Sequence, residues 1–170
     1  HARLVRRSTS CFREIAMTPR IETFLADQRP ATPCLVMDLD MVRENYLTLA
    51  RSLPQARIFY AMKANPAPQI MGMLAEMGSS FDTASIYEIR EALAAGAPAS
   101  RISFGNTVKK QSDIAAAYAL GVRLFAFDSQ GELEKLAVAA PGAKVYCRLR
   151  FEKSKTADWP LGGKFGCSLA

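Results

Sequence analysis

The sequence predicts an α/β chain of parallel strands that forms part of a (β/α)8 barrel, and three observations carry that reading. From residue 33 onward, short apolar runs alternate with stretches of helical period. Glycines at 78, 96, 121 and 142 recur every 18 to 25 residues, each closing one strand-and-helix unit. Polar residues gather just past the ends of the apolar runs, the face on which barrels build their sites. Strands separated by single helices run parallel, and their near-continuous apolar character fits a sheet covered on both faces.

The elements follow in order. "PCLVMDL" (33–39) reads as a short strand, and "DMVRENYLTLARSL" reads as a helix with Met41, Tyr46, Leu49 and Leu53 at helical spacing. "ARIFYAM" is a strand closed by Lys63. Asn65 is expected as a helix N-cap with Pro66 in the first helical position, and the helix runs on to Gly78. "SSFDTA" precedes a helix from Ser85 to about Ala95, and "RISFGN" leads to a helix that ends at Gly121. "RLFAFD" leads to one that ends at Pro141-Gly142, and "KVYCRLRF" is the last strand. A doubly wound sheet has the same rhythm, but no G-x-G-x-x-G opens the first helix.

Composition excludes several classes. With 49% apolar and 22% charged residues over 170 positions, the chain can bury a core. Its longest uncharged apolar stretch, Ile114 to Val122, is far short of the roughly 20 residues a membrane span needs. Residues 1–16 hold four arginines and one glutamate, so +3 of the net +6 sits there and +3 remains for the rest. No basic stripe interleaved with aromatics follows, which argues against nucleic acid, and the remaining cations read as solvated helix faces. The sole histidine is His1, and Cys11, Cys34, Cys147 and Cys167 form no C-x-x-C pair. No metal site or histidine triad is expected, and the cysteines are expected to stay reduced in the cytoplasm.

Residues 1–16 are Arg-rich and nearly acid-free, and Met17 opens what reads as a protein start. They are taken as an N-terminal extension, either a targeting segment or upstream sequence translated in frame. Residues 17–32 form a lead-in and residues 33–170 the barrel part.

Lys63, Asp82, Asn106, Asp128 and Arg148 fall at or just past the ends of strands. Capping boxes at Ser129-x-x-Glu132 and Ser85-x-x-Glu88 account for Asp128, Glu132 and Glu88 without any site. Asp82 can cap the turn before its helix, and Arg148 can lie on an exposed edge. Lys63 can snorkel to solvent, or be an amine held for chemistry.

In this order, however, "YAMKANP", "FDTASIYEI", "GNTVKK", "FDSQGELEKL", "CRLRFE" and "KFG" resemble the ornithine/lysine/diaminopimelate decarboxylases, which bind pyridoxal phosphate in a barrel of the alanine-racemase type. The resemblance spans roughly residues 17–170 and is closest to ornithine or lysine/ornithine decarboxylases. It implies that Lys63 forms the Schiff base with the cofactor, that Asp82 and Glu88 are acidic neighbours of that link, and that Arg148 lies near the cofactor ring. It implies decarboxylation of L-ornithine or L-lysine to a diamine in polyamine biosynthesis, by a cytoplasmic homodimer with Lys164 at the interface. The Gly-Gly before Lys164 departs from the family, where Ser-Arg-like residues are common.

The family's phosphate-binding loop, ring-stacking histidine and pyridine-nitrogen acid come from later segments. The expectation is therefore an N-terminal fragment, lacking the later strands and C-terminal β-domain, and inactive alone. Diaminopimelate decarboxylase and a non-catalytic pyridoxal-phosphate-binding homeostasis protein are the alternatives. An alanine racemase would share the lysine but not "FDTAS" with "GNTVKK".

Overall fold

The computed structural model describes residues 17–150 and 165–168. These form two compact units that divide between Glu44 and Asn45. The extension 1–16 and Lys164 lie outside the described residues.

In the first unit, Thr18 caps α1 (Pro19–Gln28): its Oγ1 accepts from the Ile21 N–H at 3.3 Å, and proline takes the first helical position. The Thr18 hydroxyl also donates to Asp38 Oδ2 at 2.9 Å. Asp38 in turn accepts from the Asp40 N–H at 3.0 Å, at the start of α2 (Leu39–Ser52). The strand expected over 33–39 does not form. Residues 34–38 find no ladder partner among the described residues, and Leu35 is 79% exposed. An extended segment without a neighbour has no backbone pairs to hold it as a strand. Helix α2 stands where its period placed it, but none of its residues is buried.

The second unit holds the sheet. Strands β1 (Phe59–Ala61), β2 (Ser80–Thr83), β3 (Ile102–Phe104), β4 (Leu124–Phe127) and β5 (Lys144–Cys147) pair in that order, all parallel. The sheet therefore grows in one direction without reversing, as a barrel requires and a doubly wound sheet does not. Helices α3 (Pro68–Glu76), α4 (Ile86–Ala94), α5 (Gln111–Ala119) and α6 (Gln130–Ala139) make the four crossings. The glycines after them all take positive φ, from 75° to 95°, which a residue with Cβ rarely adopts.

Met62, Phe81, Ile102, Phe104 and Phe125 of the sheet side are fully buried with Ile70, Leu74, Ile89 and Ile114 of the helices. Each such burial stabilises by about 1.5–3 kcal/mol, so this layer holds the strand ends in place. β5 is the exception, exposed at all four residues.

Two boundaries differ from the sequence reading. Helix α3 starts at Pro68 and not at Pro66, with Ala67 as N-cap at φ −55°, ψ 130°. A proline forces the residue before it out of the helical region, so Pro68 sets the boundary. Asn65 Oδ1 still accepts from the Ala67 N–H at 3.0 Å, as a turn rather than a cap. The last strand stops at Cys147, and Leu149 then forms an isolated parallel bridge with Cys167.

Candidate functional site

The C-terminal ends of β1, β2, β3 and β5 converge on a cavity of about 240 Å³. Lys63, Asp82, Glu88 and Arg148, separated by up to 85 positions in sequence, all line it, together with Gly105, Asn106 and Phe165. A larger cavity of about 490 Å³ lies among residues 20–39. Its walls are mainly apolar and its two charged groups, Arg20 and Asp38, are paired with each other, which makes it the poorer candidate.

Lys63 sits in a single 3-10 turn, Met62–Ala64, directly after β1. Met62 is fully buried and anchors that turn, while the Tyr60 hydroxyl donates to the Asn65 carbonyl at 3.0 Å and closes it. The lysine is thus carried on a fixed backbone, with its side chain exposed to the cavity side. Its ammonium makes no hydrogen bond or ion pair with the described residues.

Asp82 is in register with Ala61 on one side and Ser103 on the other. Its carboxylate packs directly on the Gly105 backbone: a Cβ placed there would stand 2.0 Å from Oδ1. Only glycine leaves room for it. Burial raises the carboxyl above its ordinary pKa, and the negative charge of Glu88 adds to that. A hydrogen bond from Ser103 and the charges of Lys63 and Arg148 offset the rise only in part. Ser103, itself buried, lies 3.0 Å from the Tyr146 hydroxyl. Partial burial of its hydroxyl likewise raises Tyr146, against the Ser103 hydrogen bond.

Glu88 performs the capping role expected of it: its N–H donates to Ser85 Oγ at 3.2 Å, and its Oε2 accepts from the Ala84 N–H at 2.6 Å. The same carboxylate still faces the cavity. Arg148 follows β5, where its N–H donates to the Phe127 carbonyl, and its guanidinium stands 5.2 Å from the Phe165 ring centroid. Asp128 accepts from the Gly166 N–H at 2.9 Å and so ties the Phe165 segment down. Asn106 donates to the Val108 carbonyl.

Two expectations need correction. Glu132 is not explained by capping alone. Ser129 Oγ does accept from its N–H at 3.4 Å, but its buried carboxylate pairs with Lys109 at 2.8 Å and Lys135 at 2.5 Å. Nor are all the cations solvated, because the Lys109 side chain is fully enclosed. Its Nζ also donates to the Asn106 and Ala126 carbonyls at 2.8 and 2.6 Å. A charge is tolerated there because every donor has a partner. The network fixes the loop from Gly105 to Lys109 at the cavity edge.

Ser103, Gly105, Tyr146 and Phe165 were not singled out by sequence reasoning. A serine inside the apolar run "ISF" was a usable signal for the first. The Ser103 to Tyr146 contact spans 43 positions and had none. Among the described residues no helix is long and apolar enough to cross a membrane, and no group of three potential metal ligands occurs.

Residues 39–170 match the family model described as pyridoxal-dependent decarboxylase, pyridoxal binding domain. The lysine/ornithine decarboxylase of Selenomonas ruminantium is 44% identical over 142 residues, which is 84% of this chain and 36% of that protein. Its solved lysine decarboxylase structure superposes with a TM-score of 0.76 at 40% identity, over 90% of this chain and 39% of the other. The arginine decarboxylase of Paramecium bursaria Chlorella virus gives a TM-score of 0.80 at 28% identity, over 90% and 42%. The chain thus spans about a third of the length of the curated relative it matches.

Proposed function

This chain belongs to the pyridoxal-dependent decarboxylases, and from that premise we propose that the full-length protein decarboxylates a basic amino acid, L-ornithine or L-lysine, to the corresponding diamine. The observation that carries the reading is Lys63, an amine with no hydrogen-bond partner among the described residues, in one cavity with Asp82, Glu88 and Arg148. The net reaction exchanges the α-carboxylate for a proton and releases carbon dioxide.

The residues present fit pyridoxal phosphate. Lys63 would hold it through Nζ, while Asp82, Glu88 and Arg148 would surround it. Bound there, the cofactor supplies an aldehyde that takes up amines and a ring that withdraws electrons from the carbon losing carbon dioxide. Lys63 is a nucleophile carried on a rigid turn, which keeps its position fixed while its amine stays available. Asp82, with its proton affinity raised, can hold a proton at Oδ next to Lys63. The Arg148 guanidinium presents paired N–H donors suited to a carboxylate or phosphate anion. Gly105 and Asn106 line the same cavity, and Lys109 holds the Asn106 carbonyl.

The name of the Selenomonas relative favours ornithine or lysine, and that of the viral one arginine; all are basic amino acids. A role in polyamine synthesis, a cytoplasmic homodimer with Lys164 near its interface, and a barrel domain over residues 33–170 belong to the same proposal. So does inactivity of these 170 residues alone, supported by the four exposed residues of β5. The test is carbon dioxide release by the full-length protein from ornithine, lysine and meso-diaminopimelate supplied together. Ornithine or lysine is expected to be consumed first. Preference for diaminopimelate would overturn the substrate assignment, and release from none of them would support a non-catalytic cofactor-binding role.

A further inference from the structure

Cys147 closes β5 and Cys167 lies 20 positions further on, yet their Sγ atoms stand 3.3 Å apart. The backbone brings them together. The Cys167 N–H donates to the Arg148 carbonyl at 3.0 Å, the Arg150 N–H donates to the Cys167 carbonyl at 2.9 Å, and Cys167 bridges Leu149 in parallel. Cys147 and Leu149 are two apart in an extended segment and project to the same side, which is the side Cys167 meets. The crossing is close. At Gly166, where φ is 104°, a Cβ would come within 2.7 Å of the Leu149 and Arg150 backbone. Cys147 is exposed and Cys167 partly so, and both thiols are free.

A disulfide needs sulfurs about 2.05 Å apart, so the pair, at 3.3 Å, lies little more than 1 Å from bonding distance. We propose that Cys147 and Cys167 form an oxidisable dithiol whose disulfide pins residues 165–168 to the end of β5. The oxidant is hydrogen peroxide. One thiol attacks a peroxide oxygen, breaking the O–O bond and giving a sulfenic acid and water. The second thiol then displaces the sulfenic oxygen as a second water and forms the S–S bond. Two thiols lose two protons and two electrons, and one peroxide becomes two waters. A dithiol reductant reverses the change.

The segment being pinned carries Phe165, which lies under the Arg148 guanidinium and lines the cavity, and Gly166, which is bonded to Asp128. On the functional reading above, oxidation fixes one wall of the cofactor cavity. Formation of the bond does not depend on that reading.

The full-length protein, reduced and desalted, is treated with hydrogen peroxide, alkylated and digested with trypsin without reduction. Cleavage after Lys144, Arg148 and Lys164 releases Val145 to Arg148 joined to the peptide that begins at Phe165. That cross-link is expected after peroxide, lost after dithiothreitol, and absent from both Cys147→Ser and Cys167→Ser. Hydrogen exchange at residues 165–168 should slow in the oxidised wild type alone, and circular dichroism confirms that the variants fold. Oxidation of the two sulfurs separately to sulfinic acids, a cross-link to Cys34 instead, or unchanged exchange would overturn the proposal. Reduction of the cofactor-loaded protein with borohydride reports on Lys63 separately, so failure of the cofactor reading is distinguishable from failure of the dithiol.

Discussion

The turn after β1 and the loop after β3 each carry a lysine, Lys63 and Lys109, and they treat it in opposite ways. Lys109 is fully enclosed, and Asn106, Ala126 and Glu132 all engage its ammonium. Burial lowers its pKa, and the hydrogen bond and charge of Glu132 offset only part of that. Glu132 itself is held below its ordinary pKa although burial alone would raise it, because Lys109 and Lys135 together outweigh the burial. Lys63 has a backbone held by the Met62–Ala64 turn and an amine with no hydrogen bond or ion pair among the described residues. The difference separates a cation used to hold a loop from an amine kept for reaction. Rigidity of the surroundings is common to both, and saturation of the ammonium is what distinguishes them.

The comparison breaks most visibly in Lys63→Ala. In the full-length protein this change should reduce carbon dioxide release by on the order of 10⁴-fold or more, as loss of a covalent nucleophile does. Thermal stability should stay within about 0.5 kcal/mol of wild type, because the side chain is exposed and makes no ion pair among the described residues. A large fall in melting temperature would mean that Lys63 is structural.

Lys109→Met should do the reverse, costing about 3–5 kcal/mol of stability in urea unfolding because Glu132 is left buried with only Lys135 as a cationic partner. Adding Glu132→Leu should recover most of that loss. If the single variant is as stable as wild type, the network does not hold the loop.

The smallest effect sharpens the comparison through Asp82. Its pKa is raised in the fold, so its stabilising contribution is fully present below the unfolded value near 3.8 and is lost as pH rises through the folded value. The stability of wild type minus that of Asp82→Asn should therefore fall as pH is raised from about 3.8. Because the group is only partly buried, the change amounts to a fraction of a kcal/mol. A difference that grows with pH would show that the Ser103 hydrogen bond and the cations outweigh burial.

Much of this was legible in the sequence, for reasons that can be named. Apolar runs and glycines placed the five strands of the sheet and the helices between them, because the burial of β2, β3 and β4 and the positive φ of the glycines leave direct marks on residue choice. Of the five residues singled out at strand ends, Lys63, Asp82, Asn106 and Arg148 line one cavity because parallel strands deliver their C-termini to one face, while Asp128 does not line it. What the sequence hid depended on partners distant along the chain. "PCLVMDL" has the composition of a strand, but pairing decides whether one forms. In "KK" at 109 and 110, nothing local says that the first lysine is buried and the second exposed. Ser103 and Tyr146 meet only because β5 was laid down two strands away from β3. At Asn65 the local signal was present but misread, since the later of two prolines sets the start of a helix.

The central claim is that Lys63, and not the buried Lys109, carries the cofactor. Borohydride reduction of the full-length protein with pyridoxal phosphate, followed by digestion and mass spectrometry, measures this directly. The expected result is a single reduced pyridoxyl label on Lys63, lost in Lys63→Ala. A label on Lys109 or Lys110, or no label on any lysine, would contradict it.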